Sequence, residues 1–354
     1  MVVDLTVAIP TYNGGRRLPE VLDRLRVCCQ NAIQHPNNSV YQARQKLAVT
    51  TSRTSVEQTR TATHQQNFTW EIIVVDNNST DDTAQIVQAY QANWPKHCSL
   101  RYCFEPKQGA AFARTRAFKE ARGELVAFLD DDNIPAPDWV ESAYAFGRTH
   151  PKAGAYGSQI HGAFEVTPPK NFERLAPFLA ITQRGSEPLR YEPCQKVLPP
   201  SAGLVVRKQA WLNSVPSQLI LTGRTAKSMI TGEDLEMLSH IQANGWEIWY
   251  NPAMQLYHKI PCWRLERKYL IPFFRGIGLS RYVTRMLSVK PWQRPIATLA
   301  YMTNDLRKIA FHLLKYGVRV RSDLIAACEM QLFVSSLLSP FYLWKQGYFD
   351  GKKH

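Results

Sequence analysis

Three short apolar runs, Leu5–Ile9, Glu71–Val75 and Leu125–Leu129, each break into a polar cluster: Thr11–Asn13, Asp76–Asn78 and Asp130–Asn133. Apolar runs this short, stopped by turn-forming residues, read as buried strands. A further strand is expected near Leu100–Phe104. Helical spacing fills the intervals, through Leu18, Val21, Leu22 and Leu25, then over 83–91, then from Phe112 to Arg122. Ser79 or Thr80 is expected to cap the second of these helices. Strand, loop and helix thus alternate with short links, which predicts an α/β fold with a parallel sheet covered by helices. In open sheets of this kind ligands sit beyond the carboxyl ends of the strands. The three polar clusters fall at three such ends.

Residues about 30–69 interrupt the pattern with Gln, Thr, Asn and Ser, a composition that suits a disordered surface insertion. Charge divides the chain further. Residues 1–258 carry 26 Lys+Arg against 24 Asp+Glu, whereas residues 259–354 carry 17 against 5, out of a formal net charge of +14. The expected organisation is therefore a near-neutral domain over 1–260 and a basic helical extension over 261–354. Apolar Trp263, Phe273, Phe274, Trp292, Phe311, Phe333, Phe341 and Trp344 are interleaved in that extension. The mixture fits an anionic membrane surface better than a nucleic acid. Ordinary helices with basic outer faces would look similar. The stretch from Leu324 to Trp344 is long enough to span a bilayer, but it contains Glu329 and Pro340. A packed or re-entrant helix is the expectation there. The start of the chain has neither a basic n-region nor a long apolar h-region, which predicts no secretory leader. Seven cysteines without a C-x-x-C pair point to a reducing compartment, with no disulfide framework and no zinc site.

The chemistry concentrates at Asp130-Asp131-Asp132. Adjacent carboxylates repel, so a buried run of them needs a counter-charge, and a hard divalent cation with oxygen ligands supplies one. Residues two apart at a strand end point to the same side, which pairs Asp130 with Asp132. A solvated acidic loop is the plain alternative. No G-x-G-x-x-G follows any strand and no G-x-x-x-x-G-K-[ST] occurs, so neither the dinucleotide nor the P-loop fingerprint is present.

Taken with Ala8-Ile9-Pro10-Thr11-Tyr12-Asn13-Gly14, Ile73–Asp81, Gly109–Arg114, Phe128–Asn133 and Gly232-Glu233-Asp234-Leu235, in that order, the chain resembles the family 2 glycosyltransferases. These are inverting enzymes with the GT-A fold, which implies a single Rossmann-like α/β domain with a mixed, mainly parallel sheet flanked by helices, and the likeness covers about residues 5–260. A closer similarity to cyanobacterial exopolysaccharide (hormogonium polysaccharide) transferases is suspected. The resemblance implies a DxD motif in Asp130-x-Asp132, with Asp132 on Mn2+ or Mg2+ and Asp130 near the ribose or the metal shell. Asp131 is expected to be at most an outward neighbour in the donor site. The nucleobase pocket would be built from Pro10, Thr11, Tyr12, Asp76 and Asn77, and Lys107 and Arg114 could reach the base or the phosphates. Relatives often have Asp-Asp where this chain has Asp76-Asn77, which leaves UDP, GDP and dTDP open, with UDP favoured. Asp234 is nominated as general base and Glu233 as a supporting acceptor contact. Without the resemblance, that pair reads as acidic residues at a helix N-terminus. His258 would be a third metal ligand, although a lone histidine is more often structural. Ser201–Leu204 resembles an acceptor loop in which Gly203 permits close approach of a sugar. Arg264, Arg267 and Arg275 could clamp a diphosphate.

The expected activity is metal-dependent, inverting transfer of a sugar from a nucleoside diphosphate donor to a glycan or lipid-linked acceptor. That would serve polysaccharide biosynthesis, in the cytoplasm or peripherally on the cytoplasmic face of a membrane. A nucleotidyltransferase should show a Gly-rich basic loop after the first strand, and Gly14-Gly15-Arg16-Arg17 is only a faint echo of one. The other alternative is a non-catalytic protein that binds nucleotide sugar or nucleic acid on the same fold.

Overall fold

The computed structural model describes residues 3–34, 68–193, 197–223 and 230–347. The expected insertion over 30–69 lies almost wholly outside the described residues. At the centre of the sheet, β1 (Val3–Thr11) runs parallel to β2 (Trp70–Asp76) and β4 (Gly123–Phe128), and β2 runs parallel to β3 (Ser99–Phe104). The sheet continues from β4 through antiparallel β8 (Val205–Arg207) to β6 (Ala153–Phe164) and β9 (Glu247–Ile260), which are parallel to each other. Two short strands, β5 (Asn133–Pro135) and β7 (Leu189–Arg190), run antiparallel to β9. Six of these nine strands share one direction, so the sheet is mixed and mainly parallel.

All seven residues of β2 are buried, as expected of a strand covered on both faces. Alternation sorts its side chains. Ile72 and Val74, with Leu5, Val7 and Ile9, pack against α1 (Leu18–Gln34), α2 (Thr83–Ala92) and α4 (Trp139–Thr149). Ile73 and Val75 face α3 (Ala110–Glu120) and α6 (Glu233–Ala243), with α5 (Lys208–Ser214) beside them. Ser79 and Thr80 do not cap α2, whose N-cap is Asp82 with no side-chain cap bond. Ser79 Oγ instead accepts from the Asn13 amide, and the Thr80 amide donates to Asn13 Oδ1. These bonds tie the end of β1 to the end of β2. β9 also outlasts its sequence signal. It runs on through Pro252 because a register shift opposite Ser158/Gln159 absorbs the proline outside the ladder.

Residues 267–345 form α7 (Arg267–Met286), α8 (Arg294–Tyr316) and α9 (Leu324–Lys345). α9 is the long apolar stretch. By length and composition it could cross a membrane, yet it packs along α7 and contributes Ile325, Cys328 and Leu332 to a shared core. Gly278 allows the close approach, since a Cβ there would lie 2.5 Å from Ser335 Cβ. Glu329 is not stranded in apolar surroundings but pairs with Arg174. That salt bridge, and the packing of Phe172, Leu175 and Leu179 on α7 and α9, attach the helical layer to the loop beside the sheet's functional end.

Candidate active site

Beyond β4, the Asp130 amide donates to Asn133 Oδ1 and the Asn133 amide to the Asp130 carbonyl, which makes a tight turn. The turn fans three carboxylates onto three different cations. Asp130, the most exposed, lies 3.8 Å from Arg114. Asp131 is buried, accepting from Thr11 Oγ1 at 2.5 Å and from Arg17 at 2.7 and 2.9 Å. It is therefore not an outward neighbour, because it locks the β4 turn onto the end of β1. Asp132 is also buried, 2.9 Å from Arg264 and 3.6 Å from His258 Nε2. Burial pushes its carboxyl up, but His258, Arg264 and Arg17 outweigh that and hold it well below the usual carboxylate range. The counter-charge that the aspartates require is thus supplied by arginine side chains of the chain itself.

His258 stands on β9 opposite Asn133 of β5. Its Nδ1 lies 2.9 Å from the Leu179 carbonyl, and its Nε2 lies 2.9 Å from Arg264 Nη1. Donation from Nδ1 leaves the Nε2 lone pair directed at Arg264 and Asp132, the tautomer suited to ligating a metal. Among the described residues no three His, Cys, Asp or Glu side chains form a ready-made cage. Asp132 and His258 nevertheless fit a hard cation that takes its remaining oxygens from a diphosphate and water. The Nε atoms of Arg114 and Arg264, both buried and without a hydrogen-bond partner, are donors suited to such oxygens.

The other carboxylate pair opens α6. Asp234 accepts from the Ser201 and Leu235 amides at 3.1 and 2.8 Å. Burial first, and the neighbouring Glu233 second, push its pKa up. Arg114 pairs with Glu233 and donates to Ser201 Oγ at 2.8 Å. It therefore bridges the Asp130 turn to the start of α6, held between the two halves of the site. Gly203 adopts φ +64°, and a Cβ there would lie 2.2 Å from Leu256 and 2.5 Å from Ser158 Oγ. Its missing side chain serves the packing of the sheet rather than the approach of a sugar.

A cleft of about 830 Å³ joins these groups. Pro10, Thr11, Tyr12, Asn77, Arg114, Asp130, Asp131, Asp132, Glu233, Asp234 and His258 all border it. Asp76 and Lys107 do not. Asp76 accepts from Tyr102 and from the Ser79 amide, and Lys107 lies 4.2 Å from the centre of the Phe112 ring. The Asn77 side chain is committed to the 105–109 loop, donating to the Glu105 and Lys107 carbonyls and accepting from the Gly109 amide. Two residues matter more here than their sequence context indicated. Arg17 and Arg264 reach acidic partners 114 and 132 positions away, and nothing local in the sequence reports such pairings.

This sheet, with a carboxylate turn after β4 and a second acidic pair at a helix start across the cleft, defines a GT-A fold. Across 96% of its length the chain superposes on 87% of a mannosyltransferase from Pyrobaculum calidifontis, solved with GDP-Man and Mn2+, at a TM-score of 0.52 and 18% identity. Residues 53–210 match the model of glycosyl transferase family 2. It is 40% identical over 77 residues to a putative teichuronic acid biosynthesis glycosyltransferase of Bacillus subtilis, covering 22% of this chain and 30% of that one. It is 29% identical over 198 residues to a dolichyl-phosphate beta-glucosyltransferase of Trichomonas vaginalis, covering 53% of this chain and 49% of that one. The chain spans no more than about half the length of these relatives.

Proposed function

We propose that the protein is a metal-dependent, inverting glycosyltransferase. It moves a sugar from a nucleoside diphosphate sugar, UDP-sugar being favoured, to a glycan or lipid-linked acceptor of polysaccharide biosynthesis, of the exopolysaccharide type. It works peripherally at the cytoplasmic face of a membrane. The observation that carries the reading is that one cleft is lined both by the buried Asp132–His258 pair and by Asp234, whose pKa is raised.

Pro10, Thr11 and Tyr12 border the nucleotide end of the cleft, and Asn77 shapes it by fixing the 105–109 loop. Asp132 and His258 would hold Mn2+ or Mg2+, which when bound stabilises the charge that builds on the departing diphosphate. Arg264 adds a fixed positive charge beside them. Asp234 takes the proton of the acceptor hydroxyl as that oxygen attacks the anomeric carbon. The bond from the anomeric carbon to the diphosphate oxygen breaks, the nucleoside diphosphate leaves with its electron pair, and the configuration inverts in one displacement. Glu233, held by Arg114, fixes the start of α6 and keeps Asp234 basic through like-charge repulsion. The test is calorimetric titration with UDP, GDP and dTDP, each with and without Mn2+. Metal-dependent binding of one nucleotide is expected and names the donor class. Absence of heat with all three, on folded protein, overturns the reading.

A further inference from the structure

α8 is amphipathic the wrong way round for a helix in water. Trp292, just before the helix, and Ile296, Leu299, Leu306, Leu313 and Leu314 along it are spaced so that they fall on one face of the α8 segment. That face points outward: Trp292 is 71% exposed, Ile296 70%, Leu299 67% and Leu314 82%. The inward side holds the polar groups. Asp305 is fully buried in a two-pronged pair with Arg285 on α7, and His312 is buried against the Ala326 carbonyl of α9. From Ile296 to Leu314 the apolar stripe is about 27 Å long. Among the described residues nothing covers it. Monomeric proteins in water seldom leave an apolar stripe of this extent uncovered.

The charge around the stripe selects what covers it. Arg294, Arg307 and Lys315 on α8, and Arg319 and Arg321 just after it, are all exposed. Between residues 287 and 322 the sequence has one acidic residue, Asp305, and that one is neutralised inside the protein. A second copy of this chain docking on the same face would bring like charges together. An anionic lipid surface would neutralise them while its acyl boundary takes up the leucines. We propose that α8 is the membrane-docking element, lying in the plane of an anionic bilayer with the 292–314 stripe in the headgroup–acyl boundary. This names the surface for the peripheral placement proposed above and rests on that placement, not on the transfer chemistry. Arg174 connects the surface to the active site. It pairs with Glu329 of α9 and donates to Tyr316 of α8 at 2.8 Å, and the loop that follows it supplies Phe178, Leu179 and Ile181 to the cleft wall. The membrane-facing layer is thereby fixed to a wall of the cleft.

The experiment is flotation of the full-length protein with vesicles of phosphatidylcholine alone, and with phosphatidylglycerol mixed in. The expected result is binding to the mixed vesicles only, weakened by high salt. A variant carrying Leu299→Glu, Leu306→Glu and Leu314→Glu, with its thermal transition and nucleotide titration unchanged, should bind at least about tenfold more weakly. Binding of that variant as tight as the parent overturns the assignment of α8 while leaving the peripheral placement standing. Failure of the parent to bind either vesicle overturns both, and the nucleotide titration then tests the chemistry separately. A parent that sediments as a dimer, ignores vesicles and becomes monomeric on the triple substitution assigns the stripe to a second copy instead. Should the triple variant fail to fold, brominated lipid in the mixed vesicles gives the answer. Quenching of the parent that disappears in Trp292→Phe supports docking through α8, and equal quenching of the two overturns it.

Discussion

Asp132 and Asp234 are both buried carboxylates, and their surroundings drive them in opposite directions. Asp132 has cationic partners that keep it ionised far into acid. Asp234 has burial and Glu233, which hold its proton more tightly than in water. The two therefore suit different tasks, one holding positive charge and the other accepting a proton. Asp132→Asn should weaken metal-dependent nucleotide binding by about tenfold or more, since it removes a buried charge-assisted partner. Asp234→Asn should leave that binding intact and lower kcat by about 10²–10⁴. Calorimetry and turnover measured on the same preparations separate the two, and full turnover in Asp234→Asn would remove it as base. The sign of the pH effect follows from the raised pKa. The base must be ionised to work, so kcat/KM falls as pH drops through a value above the usual aspartate range. Glu233→Gln removes the repulsion that Asp234 feels and should move that acid limb downward. A limb already at or below the ordinary aspartate value would contradict the assignment.

At the scale of elements, the central strands were legible because both of their faces are buried. Continuous apolar runs such as Ile72–Val75 can be little else, and the polar residues that end them fall where the chain leaves the sheet. The antiparallel half was harder to read. β5 and β8 are three residues each, β6 contains Gly154, Gly157 and Gly162, and β9 crosses Pro252. Their pairing is set by partners far away in sequence rather than by local pattern. The same holds in the site. The aspartates and the Glu233-Asp234 pair stood out, whereas their links to Arg17, Arg264 and Arg114 are long-range contacts that leave no local trace. α8 offers a direct test of how one element is held. Asp305→Ala leaves Arg285 without its buried partner and should cost about 3–5 kcal/mol in urea unfolding. Replacing both, as Arg285→Met with Asp305→Leu, should recover most of that loss. Equal destabilisation by the single and double variants would mean that the pair does not anchor α8. Gly203→Ala meets strain of a different origin. It combines a left-handed backbone with a Cβ inside the packing distance of Leu256 and Ser158, and should cost about 2–4 kcal/mol.

For the whole molecule, the charge step near residue 259 suggests a boundary, but packing does not respect it. Phe172, Leu175, Leu179 and Ile260 come from the sheet side of the one core they share with Leu270, Phe274, Ile325, Cys328 and Leu332. Arg264 lies beyond the step and yet sits against Asp132 in the cleft. Removal of residues 261–354 would return those four large apolar side chains to water. At about 1.5–3 kcal/mol each, the loss is about 6–12 kcal/mol. That is comparable with the whole stability of a typical domain, about 5–15 kcal/mol. A chain ending at residue 260 is therefore expected to aggregate, or to melt without a cooperative transition, and to lose nucleotide binding along with Arg264. The full chain should unfold in one transition that metal and nucleotide together shift upward, by about 2.7 kcal/mol at a hundredfold excess over Kd. Gel filtration and circular dichroism on the two lengths decide the matter. A monomeric 1–260 chain with a sharp melt and intact nucleotide binding would show that the basic layer is an appendage. The aggregating outcome would make it a wall of the active site, so that whatever α7, α8 and α9 dock against is felt at the cleft.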